Sequence, residues 1–221
     1  ARGKPDSRIR EKNGDFRLMQ NQFVEDLLDL IRLRVKPLLH YSYPWWQPAL
    51  LVTLLGVFSA AMAEQFSAPP EGRILFFVAL NWLELLLMAN FFDWWLRQGD
   101  RWKGEGSLLP LLAATQGIQV LEPLLSWLPD DVGVPVSLLL AAYSVVVLIN
   151  ALTVATGVAR THVIGGILLF TPIALALYLS MMLLANSLGW IPDPPEPVAK
   201  PGASQTAPAK PAASKNGALP L

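Results

Sequence analysis

The chain contains no cysteine. That excludes disulfides, thiolate nucleophiles and cysteine-ligated metals together. It has only two histidines, His40 and His162, on separate segments, which disfavours a transition-metal site. Charged residues make up only 15% of the 221 residues, and acidic and basic side chains balance at 17 each. There is thus no global attraction to nucleic acid. No glycine-rich phosphate loop, nucleophile-elbow serine or metalloprotease helix occurs. Gly165-Gly166 lacks the flanking pattern of a phosphate loop, and Gly99-Asp100 lacks the paired acid of an intramembrane aspartyl protease. Neither catalysis nor a metal or other cofactor is expected. The first residues are charged and polar, so a cleaved signal peptide is not expected either.

What the chain has is apolar length. Hydrophobic residues make up 53% of it, and they gather into five runs of about 20 residues, each long enough to cross a bilayer as a helix. The expected fold is all-α, a polytopic membrane protein with a five-helix bundle over 48–190. The spans are expected at 48–66, 74–96, 107–128, 136–158 and 163–190. Small residues at four-residue spacing allow close helix contact. Gly56 and Ala60 (with Glu64) form such a face on the first span, and Ala151, Ala155 and Ala159 form another on the fourth. Pro123 removes an amide hydrogen and frees the Gln119 carbonyl, which then needs another donor inside the membrane. Pro172 should kink the last span, with Thr171 beside it to satisfy freed backbone groups. Residues 129–135 read as a tight turn.

The second span carries the residue that costs most. A carboxylate at mid-membrane costs roughly 2.5–3.5 kcal/mol on insertion scales, so Glu84 must be sheltered by other helices. Midpoint estimates place Glu84 and Gln116 near the midplane and Asn150 within about a turn of it. Asn81, Gln119 and Glu122 fall about one turn further out. Thr115, Gln119 and Glu122 share a stripe. Two polar layers across helices 2, 3 and 4 are therefore expected, with Glu84, as a protonated acid, donating to Gln116 or Asn150. Such residues serve either as an ion or proton pathway through Glu84 and Glu122 or as interhelical glue.

Outside the spans, residues 1–14 are basic, polar and expected to be disordered. Residues 15–37 read as an amphipathic helix closed by Pro37, with an apolar stripe of Phe16, Met19, Phe23, Leu27, Leu30 and Ile31. That stripe suits either a membrane surface or partner, or the underside of the chain's own bundle. Arg32, Arg34 and Lys36 at its end suit a negatively charged surface. Tyr41, Tyr43, Trp45 and Trp46, beside Pro44 and Pro48, read as interfacial anchors. Residues 191–221, rich in Pro, Ala and Lys, read as a disordered tail spanning roughly 30 Å. About nine Lys and Arg precede Pro48, and Arg97, Arg101, Lys103 and Arg160 fall on the same side. The positive-inside rule then places the N-terminus in the cytoplasm of an inner-membrane protein and the tail outside.

The segment from Ile31 through Arg32, Leu33, Arg34, Val35 and Lys36 to Pro37 leads into Tyr43-Pro44-Trp45-Trp46. Later, Tyr143 to Leu152 and Thr156 to Thr161 form a penultimate span and its following loop. In these features the chain resembles the bacterial branch of the Yip (Ypt-interacting protein) family. The resemblance implies a cytoplasmic N-terminal segment, five membrane helices with short loops, and a non-catalytic scaffold or adaptor role. The leading functional expectation is a non-enzymatic assembly subunit that contacts membrane lipids and protein partners. The alternatives are a small ion- or proton-coupled transporter or channel subunit using Glu84 and Glu122, and an accessory subunit of a larger pigment or redox complex.

Overall fold

The computed structural model describes residues 22–63, 65–99, 101–125 and 127–191. Phe16, Met19, Glu64 and the segments 1–14 and 192–221 lie outside the described residues. Every regular element among the described residues is helical. This suits the composition, because a helix satisfies its own backbone hydrogen bonds within one apolar segment.

The chain opens with α1 (22–31) and a single 3-10 turn, Leu38–Tyr41. Then come α2 (Trp46–Met62) and α3 (Pro70–Arg97). The next helix is composite: α4 (Leu108–Thr115), a 3-10 stretch (Gln116–Leu121) and α5 (Glu122–Leu125). Two long helices follow, α6 (Asp130–Thr156) and α7 (Arg160–Ser187). Among the described residues four helical segments are long and apolar enough to cross a membrane: Pro70–Arg97, Leu108–Leu125, Asp131–Thr156 and Arg160–Ser187. The first expected span is a shorter helix of 17 residues. It stops at Met62 rather than Phe66, and the amide of Ser67 turns away to the Trp190 carbonyl at 2.8 Å.

Local chemistry accounts for the other boundaries that differ from expectation. α3 starts at Pro70, not Ile74, because proline suits the first helical position and Glu71 complements the N-terminal dipole. The expected 129–135 turn is instead the first part of α6, which runs through Pro135. α6 ends at Thr156, where Gly157 adopts φ +70 and breaks the helix. Ala159 therefore leaves the expected Ala151–Ala155–Ala159 ridge and becomes the residue that precedes α7. α7 is continuous through Pro172, and the Thr171 hydroxyl donates to the Ile167 carbonyl at 2.8 Å.

The main core joins α1, α2, α3, α4, α6 and α7 through Leu30, Val52, Leu85, Phe92, Leu111, Val147, Leu152 and Val163, among others. A smaller core at the other end joins Ala63, Phe66, Phe76, Leu80 and Ala185. α2 and α3 meet at Gly56, where an added Cβ would lie 2.6 Å from the Val78 Cα. Ala60, one turn further along α2, is also buried. The end of α3 clasps the start of α7: Trp95 stacks on His162 at 4.8 Å. The Trp95 indole N–H donates to the His162 carbonyl at 2.9 Å, and His162 Nε2 donates to the Trp95 carbonyl at 3.0 Å.

α1 is built into this bundle. Phe23 and Leu30 are buried, and Leu27 presses on Gly117, where a Cβ would meet its Cδ2 at 2.6 Å. Two side chains of α6 hold the end of α1: the Tyr143 hydroxyl donates to the Ile31 carbonyl, and Asn150 Nδ2 to that of Leu33 at 3.1 Å. The helix closes in a Schellman motif, with Leu33 N–H on the Leu30 carbonyl and Arg34 N–H on that of Asp29. Leu33 takes the left-handed position at φ 60, which glycine usually fills. Leu33→Gly should therefore stabilise the protein by about 0.5–1 kcal/mol. Leu33→Ala, which keeps the strain, should not. Chemical unfolding in detergent distinguishes them.

Candidate functional site

The composite helix makes the site. Pro123 cannot continue an α-helical ladder. The helix tightens into 3-10 geometry just before it, and the Glu122 amide takes the Gln119 carbonyl. The donor that this carbonyl needs is thus found within the same turn. A 3-10 helix has three residues per turn, so side chains at i and i+3 eclipse. Gln116 and Gln119 consequently line one face.

That face looks into a chamber of about 130 Å³ between α3, α4 and α6. Its polar lining is Glu84, Thr115, Gln116, Gln119 and Ser144, and Met88, Val145 and Leu148 supply the apolar part of the wall. Glu84 is half-buried and makes no hydrogen bond or ion pair among the described residues. Gln116 is 8% exposed. Its Oε1 is buried with no hydrogen-bond partner. The two hydroxyls at the chamber donate elsewhere: Thr115 to the Leu112 carbonyl and Ser144 to that of Ala141, both at 2.7 Å. On its other side Glu84 lines a wider apolar groove of about 440 Å³ between α3, α6 and α7. Phe170, Thr171 and Tyr178 are among the residues across that groove.

The structure thus brings together Glu84, Gln116 and Gln119 and leaves out the other polar residues expected there. Asn81 donates to the Phe77 carbonyl of its own helix at 2.9 Å. Asn150 lies against α1, as described, because it is the end of α1 that presents open carbonyls. Glu122 is exposed and lines neither cavity. In 3-10 geometry it sits roughly 12 Å along the axis from Gln116. No family model, curated protein or solved structure matches the chain.

A second polar cluster, centred on Asp26, is absent from the sequence-based expectations. Asp26 is only 1% exposed. It accepts from Lys36 Nζ at 2.6 Å, His40 Nε2 at 3.2 Å and the Tyr43 hydroxyl at 2.6 Å. Lys36 also reaches Asp29 at 3.2 Å, and its amide donates to the Tyr41 hydroxyl at 3.0 Å. Tyr41 and Tyr43 are therefore parts of this packing, and of the expected anchors Trp45 is largely exposed, at 81%. Of the partner surface expected here, Phe23 and Leu30 lie in the main core and Leu27 and Ile31 pack against it, whereas Lys36 keeps its side chain partly exposed. Arg32 and Arg34 remain exposed. A signal was present in the sequence: Asp26 stands three residues after Phe23 and four before Leu30, on the apolar stripe itself.

Burial raises both tyrosine pKa values, and the Asp26 carboxylate raises that of Lys36. In all three groups the folded protein holds its proton more firmly than the unfolded chain. Their stabilisation is complete below the ordinary values, 10.0 for tyrosine and 10.5 for lysine, and is lost as pH rises through the raised ones. Hydrogen exchange should show α1 loosening above about pH 10 before the long helices do. Asp26→Ala, which leaves the half-buried Tyr43 hydroxyl without its acceptor and removes the carboxylate partner of Lys36, should cost about 1–3 kcal/mol at neutral pH. An unchanged unfolding midpoint would show that the cluster adds no stability.

Proposed function

We propose that this chain is a non-enzymatic subunit of a membrane assembly, with five spans, a cytoplasmic N-terminus and an inner-membrane location. The observation that carries the assembly role is the uneven cladding of α6. In the most apolar 18-residue stretches of α6 and of α7 alike only 6% of residues are buried within the chain, against 44% in 108–125. The buried residues of α6, Val147, Ala151, Leu152 and Thr156, all fall near its C-terminal end. Leu138 and Leu139 are 72% and 70% exposed. Half of a long helix thus stands clear of its own bundle, beside the groove lined by Glu84. A helix of a partner protein seated there would bury that face and bring its polar groups within reach of the carboxyl. The pattern resemblance to Yip-type scaffolds agrees with this role.

A photo-reactive residue at Leu139 should yield one discrete protein adduct in native membranes. The same residue at Leu168, 69% exposed on α7, serves as a comparison. Adducts with lipid alone at Leu139 would overturn the assembly role.

The second reading, an ion-coupled transport subunit, draws on the chamber at Glu84 and no longer includes Glu122. The third, an accessory subunit of a pigment or redox complex, has only His40 and His162 as obvious axial ligands. Their Nε2 atoms already meet Asp26 and the Trp95 carbonyl.

The fifth span rests on α2. At 17 residues it lies at the short limit for a membrane helix. The absence of cysteine makes a direct topology test clean. Ser42→Cys and Ser67→Cys flank α2 at exposed positions. An impermeant maleimide should label Ser67→Cys in intact cells and Ser42→Cys only after permeabilisation. Labelling of both from one side would show that α2 enters and leaves on the same face.

A further inference from the structure

The chamber at Glu84 is rich in oxygen acceptors, and its remaining donors are the amide groups of Gln116 and Gln119. The Thr115 and Ser144 hydroxyl hydrogens are directed to the Leu112 and Ala141 carbonyls. What these side chains can present to the chamber is therefore an oxygen lone pair. Gln116 Oε1 is a buried acceptor with no partner. An ionised Glu84 accepts only, and Gln119 brings another amide oxygen. A buried polar atom left unpaired costs roughly 1–3 kcal/mol, so such a chamber favours an occupant that oxygen atoms can surround.

We infer that the chamber between α3, α4 and α6 binds a monovalent alkali cation, with sodium as the best match. Its ligands are the Glu84 carboxylate, the amide oxygens of Gln116 and Gln119, and the hydroxyl oxygens of Thr115 and Ser144. These are hard oxygen donors without nitrogen or sulfur, the set that suits alkali and alkaline-earth ions rather than transition metals. One carboxylate neutralises one positive charge. A divalent ion would leave a net charge in a low-dielectric site, which is costly. The volume of about 130 Å³ leaves room for a small ion together with water. The 3-10 stretch belongs to the same site. Non-α backbone is tolerated at membrane depth where it lines a cavity, and broken helices supply cation sites in membrane proteins. The cation site stands whether or not a partner docks on α6.

The test uses the full chain purified in detergent, with its unfolding midpoint measured in sodium chloride, potassium chloride and choline chloride at equal ionic strength. Ligand binding to the folded state raises the midpoint saturably. Sodium should do so, potassium less and choline not at all. Glu84→Gln and Gln116→Leu should abolish the sodium response, and Glu122→Gln should retain it. Ser144→Ala, a milder change, should raise the half-saturating sodium concentration several-fold, which keeps the test valid if the Glu84 variant fails to fold. Equal midpoints in sodium and choline would overturn the inference. So would a response that survives both Glu84→Gln and Gln116→Leu, or one that follows pH alone, which would mark a protonated Glu84 bonded to Gln116 instead.

Discussion

An apolar solvent supplies no hydrogen bonds, and this bundle is shaped by the places where its backbone leaves one unmade. Pro123 is the most consequential. The 3-10 turns before it recover the Gln119 carbonyl and, in doing so, align two glutamine side chains toward Glu84. The end of α1 is a second such place. Its open carbonyls at Ile31 and Leu33 are met by Tyr143 and Asn150 from α6. The hydroxyls of Ser59, Thr171 and Ser180 also return to carbonyls one turn back in their own helices. Most polar side chains within the helices are thereby neutralised locally. The group around Glu84 and Gln116 is among the exceptions.

The two polar centres do different work. The Asp26 cluster ties α1 to the chain that follows it, and each donor around the carboxylate has a place in the packing. It is satisfied, and a satisfied buried network holds structure in place. The Glu84 chamber is unsatisfied, and it adjoins a groove beside the free half of α6. Burial of an incomplete polar set is expensive, and a ligand that completes it recovers that cost.

The placement of α1 also redistributes the surfaces open to partners. With Phe23 and Leu30 inside the core, the least covered of the long apolar helices are α6 and α7. At the other end of α3, Arg97 pairs with Asp93 at 2.8 Å and stands 5.8 Å from the Trp102 ring. The loop that begins there is thus held against the bundle and shares a cavity with Pro37, Leu38 and Leu39. Its Arg101, Lys103 and Glu105 give the cavity charges of both signs.

Apolar run length alone pointed to an all-helical chain, and among the described residues four helices are long and apolar enough to cross a membrane. The small face at Gly56 and the strain at Pro123 were legible for the same reason: both follow from one side chain's own geometry. Helix ends were less legible. At Pro70, Asp130 and Thr156 the boundary depends on capping and on a glycine at positive φ, which hydropathy does not report. The partners of polar residues were decided only by the tertiary structure. Glu84 and Gln116 share a chamber because α3 and α4 pack side by side, whereas Asn150 is drawn away by the end of α1, a helix more than a hundred residues earlier in the chain. Periodicity reports which face of a helix a residue occupies. It says nothing of which other helix that face will meet, and at this site that meeting is what sets the chemistry.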